Sequence, residues 1–367
     1  MRASRACRLH CLAILNTHLR ILLLRRDRPC DCVWAQKEIE CSPSIFLSLA
    51  TFRMPLAYLL ILTHSNALLP PQFCDPSAIE PRLASMAREQ PGVVLLDGEQ
   101  VAGYMLGYAT IPEFFGRSAG VYVPVYGHCV APMYEIGQVY PALYGRLAAE
   151  WVQRGCGTHA LTCFTGSQSQ ALASLLAGYG FGLQVIDAIR PLAVEERTPA
   201  DGFTIRPAGE ADLGAIHTLD SKLGKYLRSA PIFLHTRPVP EHDISEHFLG
   251  EGVKTFLAWD QSVAVGGIRA VLNSGPGCEL FNVAGSLGVN FAFTGETARR
   301  NGVATHLLYA LLQWGAEQGM ERCVVDFESA NLPARGFWES QFQPICHSVV
   351  RKVDDRMAPL AKPSSYP

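Results

Sequence analysis

The chain has 367 residues, of which 49% are hydrophobic and 17% charged, with a formal net charge of -2 at pH 7. That composition excludes an intrinsically disordered chain, and the near-neutral charge without a basic patch excludes a nucleic-acid partner. The length exceeds the common domain size of roughly 100–150 residues, so two domains are expected, each with its own core.

Before residue 30, Arg2, Arg5, Arg8, Arg20, Arg25, Arg26 and Arg28 are opposed only by Asp27, with apolar clusters such as Ile21 to Leu24 between them. Residues 1–53 are expected to be a poorly ordered extension or a mis-called start with Met54 as the initiator; an organellar transit peptide fits the same residues. Ile45 to Leu62 is long enough for a membrane span. Burying Arg53 at its middle would cost about 2.5–3.5 kcal/mol, so it reads as a core helix and no membrane partner is expected. Cys129, Cys156, Cys163, Cys278, Cys323 and Cys346 lie scattered along the chain. They read as buried free thiols in a reducing compartment, which suits a cytoplasmic protein. Cys30 and Cys32 lack zinc-knuckle spacing and no paired ligands follow, so no metal is expected.

From Val93 to Asp97 the pattern is a strand, then a polar turn, then a second strand reaching Gly103. A helix with apolar periodicity passes Trp151 and stops at Gly155, a strand runs from Ala160 to Phe164, and a further helix leads to Phe181. A last strand carries Arg190. The same marks recur as Phe256 to Asp260, Gly266, Trp314, Gly319, Cys323 to Phe327, Phe342 and Arg351, at an offset that stays within 161 to 164. Chance similarity would drift, so the halves read as two copies of one fold, joined by the charged, Pro- and Gly-bearing stretch Glu195 to Gly202. Each copy runs strand, helix, two or three hairpin strands, long helix, strand, helix and final strand. This is an α+β fold with helices on a mixed sheet. By the same offset, the first copy's opening helix falls near residues 48–63 and its opening strand near 40–44, where Glu40-Cys-Ser-Pro is a poor strand.

The second copy opens with Phe203 to Arg206 as a strand and Ala211 to Tyr226 as a helix, and its apolar run Val289 to Phe293 leads to Arg299-Arg-Asn-Gly302-Val-Ala304. A strand that enters a helix through a glycine turn leaves several backbone N–H groups unpaired and pointing one way, which suits a pyrophosphate. The helix dipole adds about half a unit of positive charge there. Gly302 permits close backbone approach, and Arg299 or Arg300 can add charge-assisted bonds.

Arg299-x-x-Gly302-x-Ala304 resembles the Q/R-x-x-G-x-G/A loop of the GNAT superfamily of N-acetyltransferases. The segment Val325 to Phe342 resembles that family's following strand and its N-x-x-A-x-x-F-Y-x-x-x-G-F helix. The likeness covers about residues 203 to 353. It implies two tandem acyl-CoA N-acyltransferase domains, a degenerate one at 54–197 and one with the CoA-binding motif at 198–353, followed by a tail at 354–367. It further implies that strands Val289 to Thr294 and Cys323 to Glu328 splay around the pantetheine arm of acetyl-CoA, the co-substrate. The implied cofactor-binding residues are Phe293, then Arg299, Arg300, Asn301, Gly302, Val303, Ala304 and Thr305 of the loop, and Asn331, which also suits an N-cap for the helix that Pro333 opens.

The implied chemistry is direct attack of an amine of a small molecule or protein on the thioester. Asp326 and Glu328 share one strand face by period-two geometry and are the candidate bases. Trp338 stands where a tyrosine donor is common and Gln341 replaces a glycine, so a tyrosine-acid mechanism is not expected. His306 and His347 also invite a base assignment, but His306 sits inside a helix beside Leu307 and Leu308 and reads as a packing histidine; Tyr309 fits either role. In the first copy, Met133 to Tyr140 has no basic residue and Ser167 to Gln170 replaces the asparagine, although Tyr179-Gly-Phe181 keeps the helix ending. Phosphate gripping is expected to be lost there. A catalytically silent acyl-CoA-binding or regulatory module is the rival reading.

Overall fold

The computed structural model describes residues 19–25, 35–40, 76–97, 100–165, 169–193, 202–275, 278 and 283–357. The expected helix at 48–63, nearly all of the strand at 40–44 and the junction before Gly202 lie outside these residues. The chain divides into two compact units.

Among described residues, the first unit runs to His159 and includes Val353 to Met357. In chain order its elements are β1 (Leu19–Arg25), β2 (Ala35–Glu40), α1 (Pro76–Glu89), β3 (Gly92–Asp97), β4 (Gln100–Leu106), β5 (Tyr108–Ile111), β6 (Ala119–Val123), β7 (His128–Val130), α2 (Ile136–Gln153) and the start of β8 (Cys156–Phe164). One sheet has the order β2-β1-β3-β4-β7. β1 runs parallel to β3, and the other registered pairs are antiparallel. α2 buries Val139, Tyr140, Leu143, Tyr144, Leu147 and Trp151, a helical stripe that supplies the core over β3 and β4. The Tyr144 hydroxyl meets buried His159 Nδ1 at 2.9 Å, which offsets the cost of burying both polar groups.

The second unit spans Ala160 to Lys352 among described residues. It contains the rest of β8, then α3 (Ser169–Gly178), β9 (Gly182–Pro191), β10 (Thr204–Pro207), α4 (Leu213–Leu227), α5 (Ile244–Leu249), β11 (Val253–Asp260), β12 (Val263–Leu272), β13 (Ser286–Thr294), α6 (Val303–Glu317), β14 (Arg322–Glu328), α7 (Leu332–Gln341) and β15 (Gln343–Lys352). Its strand order is β10-β11-β12-β13-β14-β9-β15-β8. On one face, Leu307, Leu308, Leu311 and Leu312 of α6 and Trp338 of α7 pack on Ile268, Leu287, Val325 and Phe327. On the other, Ile216 and Leu219 of α4 and Phe248 of α5 pack on Leu257 and Phe291. Full burial of each such side chain contributes about 1.5–3 kcal/mol, so the sheet is held from both sides.

The placement of β9 is the main departure from a plain repeat. This last strand of the first half lies between β14 and β15 and is antiparallel to both. Ile186 and Ala188 join the core under α6, so apolar burial as well as backbone pairing holds it there. Sequence repetition reports that two strands are alike, but not which sheet edge each one joins. The compact units accordingly divide between His159 and Ala160, ahead of the linker.

Candidate functional site

β13 and β14 run parallel only from Ser286 opposite Arg322 to Val289 opposite Val325. Beyond that point β13 continues along β12 to Thr294, while β14 continues along β9 to Glu328. The fork is driven by alternative pairing on each outer side, helped by a bulge that leaves Asn290 out of register between Val289 and Phe291. The expected splay of these strands is therefore present.

At the end of β13, a 3₁₀ turn Glu296–Ala298 leads into a loop where Arg300 has φ 64° and Gly302 has φ 76°. Two left-handed residues around Asn301 turn successive amides toward one side, the geometry of an anion-binding nest. Gly302 is the N-cap of α6 and has no side chain to satisfy the first turn. Among the described residues, no backbone or side-chain acceptor takes the amides of Arg300 through Thr305. Arg300, Asn301 and Gly302 are exposed. An exposed helix start with unpaired donors is a site for a negative charge.

The loop forms one end of a cleft of about 630 Å³. Phe293, Arg299, Arg300, Gly302, Val303, Ala304, Thr305 and Asn331 all line it. Asn301 does not, and its Nδ2 instead donates to the Thr297 carbonyl at 3.4 Å. Asn331 caps α7 through the amide of Ala334, as its sequence position suggests. Arg299 Nε donates to the Thr294 carbonyl at 3.1 Å, and its guanidinium lies 5.0 Å from the centre of the Tyr226 ring. Arg300 makes no ion pair among the described residues, which leaves its charge for a ligand.

Tyr226 and Leu223 also line the cleft and were not named as site residues from sequence, and Trp338, at the tyrosine-donor position, lines it as well. Tyr226 continues the stripe of buried Ile216 and Leu219 and half-buried Leu223 at helical spacing, and that stripe was the available signal. Trp338 is 5% exposed and stacks edge-on with Phe337 and Phe342. It presents no acidic hydroxyl where a tyrosine would.

Asp326 and Glu328 do not line the cleft. Asp326 faces Asp187 of β9 in register, and Glu328 accepts from Gln184 Nε2 at 3.2 Å. Burial, then the Asp326 charge, pushes Asp187 up from 3.8 to about 7. Burial, then Glu328, pushes Asp326 up to about 6. Burial also raises Glu328. His306 Nδ1 meets the Gly302 carbonyl at 2.8 Å, and Tyr309 lies 5.6 Å from the Arg190 guanidinium. His347, opposite Ile186 in β15, has its pKa lowered by burial. None of the three lines the cleft. The described cysteines are free, and burial pushes Cys163 and Cys323 up to about 12, so these thiols are inert. Among the described residues no cluster of His, Cys, Asp or Glu could hold a metal, and no helix is long and apolar enough to cross a membrane.

A layered mixed α/β unit thus carries a forked strand pair beside a loop whose geometry suits an anion. Residues 224–342 match the model of the Acetyltransferase (GNAT) family. No curated protein matches the chain. Similar solved structures include a GCN5-related N-acetyltransferase from Sphaerobacter thermophilus, 14% identical over 82% of this chain and 94% of its own, TM-score 0.49. A tandem GNAT protein from the clavulanic acid biosynthesis pathway is 12% identical over 85% of this chain and 96% of its own, TM-score 0.42. An aminoglycoside N-acetyltransferase in complex with CoA is 19% identical over 37% of this chain and 88% of its own, TM-score 0.30.

Proposed function

We propose that this domain is an acyl-CoA-dependent N-acyltransferase that moves an acetyl group from acetyl-CoA to a primary amine. The observation that carries the reading is the run of unpartnered amides from Arg300 to Thr305, beside a strand pair that stops pairing after Val289 and Val325. In the reaction the amine nitrogen attacks the thioester carbonyl, a C–N bond forms and the C–S bond breaks. The ammonium proton passes to a base and the departing thiolate takes up a proton. Asp326 and Glu328 remain the candidate bases. Burial raises both, Asp326 to about 6, which moves its proton acceptance toward neutrality, and since neither lines the cleft each would have to reach the amine through water. The loop supplies binding and orientation, from which most of the rate gain would come.

The test is release of free CoA from acetyl-CoA across a panel of small amines and peptides. Turnover that Gly302→Glu abolishes supports the reading, and no turnover with any acceptor would sink it. Buried Trp338 favours a second reading, a silent acyl-CoA-binding module. Tight CoA binding without transfer would select it.

For the first copy, we propose that no acyl-CoA is held at the start of α2. Glu135 is the N-cap there, extended at φ -76° and ψ 126°, and its carboxylate accepts from Gln138 Nε2 at 3.0 Å. A side-chain anion occupies the favourable end of the helix dipole and would repel a phosphate.

A further inference from the structure

We propose that Tyr226, in the last turn of α4, is a positioning residue that sets two walls of the cofactor cleft at once; this rests on the acyl-CoA reading above. Its ring and its hydroxyl act on different partners. The ring lies under the Arg299 guanidinium, 5.0 Å from centroid to Cζ, while Arg299 Nε is tied to the Thr294 carbonyl at 3.1 Å. The hydroxyl donates to Asn331 Oδ1 at 3.0 Å, across to the start of α7.

The second contact fixes which way the Asn331 amide points. A carboxamide oxygen accepts two hydrogen bonds, and here both are supplied, by the Tyr226 hydroxyl and by the Ala334 amide at 3.4 Å. The Ala334 amide can only donate, so it opposes a flipped carboxamide, and the Tyr226 hydroxyl donating to the same oxygen adds to that preference. The Nδ2 group meets no protein acceptor among the described residues, although Asn331 is only 8% exposed and lines the cleft. The Nδ2 group is thus open on the cleft side to a ligand acceptor, and the amide carbonyls of a pantetheine arm are that chemistry. Capping α7 alone needs only the Ala334 contact. The backbone of Tyr226 is held too, because Ser229 donates to its carbonyl from both N, at 3.0 Å, and Oγ, at 2.6 Å. Tyr226 therefore acts through Arg299 on the diphosphate end and through Asn331 on the arm.

The experiment is calorimetric titration of the full chain with CoA and with ADP, which keeps a diphosphate but lacks the arm. Tyr226→Phe keeps the ring and should weaken CoA about three- to tenfold while leaving ADP unchanged. Tyr226→Leu removes the ring as well and should weaken ADP about two- to fivefold. Asn331→Ala should match the Phe variant for CoA, and the double variant should lose no more than Asn331→Ala does. Equal losses for both ligands in the Phe variant, no loss for either, or losses that multiply in the double variant would each overturn the assignment. A wild-type chain that binds no CoA would instead remove the acyl-CoA reading and the inference with it, an outcome distinct from wild-type binding that Tyr226→Phe leaves intact.

Discussion

Gly302 is glycine for a backbone reason. At φ 76° a side chain is strained, and a Cβ there would also meet the His306 ring at 3.3 Å. Gly302→Ala is expected to destabilise the fold by about 1–2 kcal/mol, read as a lowered thermal midpoint. Gly302→Glu carries the same strain and adds a carboxylate inside the anion nest, so CoA binding by calorimetry should disappear while its midpoint stays near that of the Ala variant. Retained CoA affinity in the Glu variant would remove the nest from the mechanism. This residue was legible from its place just after Arg299 and Arg300 and before an apolar helix. Tyr226 was not, because its partners Arg299 and Asn331 are far along the chain and one more aromatic on a buried stripe reads as core.

At the scale of elements, the pairing of β9 with β14 sets Asp187 directly opposite Asp326. The Cys278 amide donates to Asp187 Oδ1 at 2.9 Å, but Oδ2 is buried without a partner. Burial holds protons on both carboxyls, Asp187 up to about 7 from an ordinary value of 3.8 and Asp326 up to about 6. The folded state therefore binds more protons than the unfolded state across that interval. Stability should fall as pH rises from about 4 to about 7 and then level off, with nothing gained or lost below the unfolded value. Asp187→Asn keeps the acceptor for Cys278 and removes the charge. Its thermal midpoint should exceed that of the wild-type chain at pH 8 and vary less between pH 5 and pH 8; an unchanged slope would show that the pair carries no such load.

For the whole molecule, the two helix starts predict stoichiometry. Arg300 and Gly302 open a nest ahead of α6, whereas Glu135 closes the start of α2, so the full chain should bind one CoA and Gly302→Glu should bind none. A fitted stoichiometry of two would contradict the closed first site. The location of β9 makes a second prediction. A chain beginning at Gly202 would leave β14 and β15 without the strand that lies between them, exposing two unpaired edges and the core face that Ile186 and Ala188 cover. It should aggregate or melt without cooperativity, and a sharp melt with full CoA affinity would refute this.

Local features were readable from the residues alone. Strand and helix periodicity, the glycine turn before α6 and the Asn331 cap each depend on neighbours a few positions away, and each appears where its pattern places it. The fork was expected only through the family resemblance, since a succession of strand, helix and strand does not say where two strands part. Tertiary structure alone decided which strand fills the gap beside β14, that Asp326 meets Asp187 instead of lining the cleft, and that Tyr226 joins Arg299 to Asn331. Backbone hydrogen bonding is blind to side-chain identity, so either copy of a repeated strand satisfies the same edge. Only packing of the complete chain selects between them.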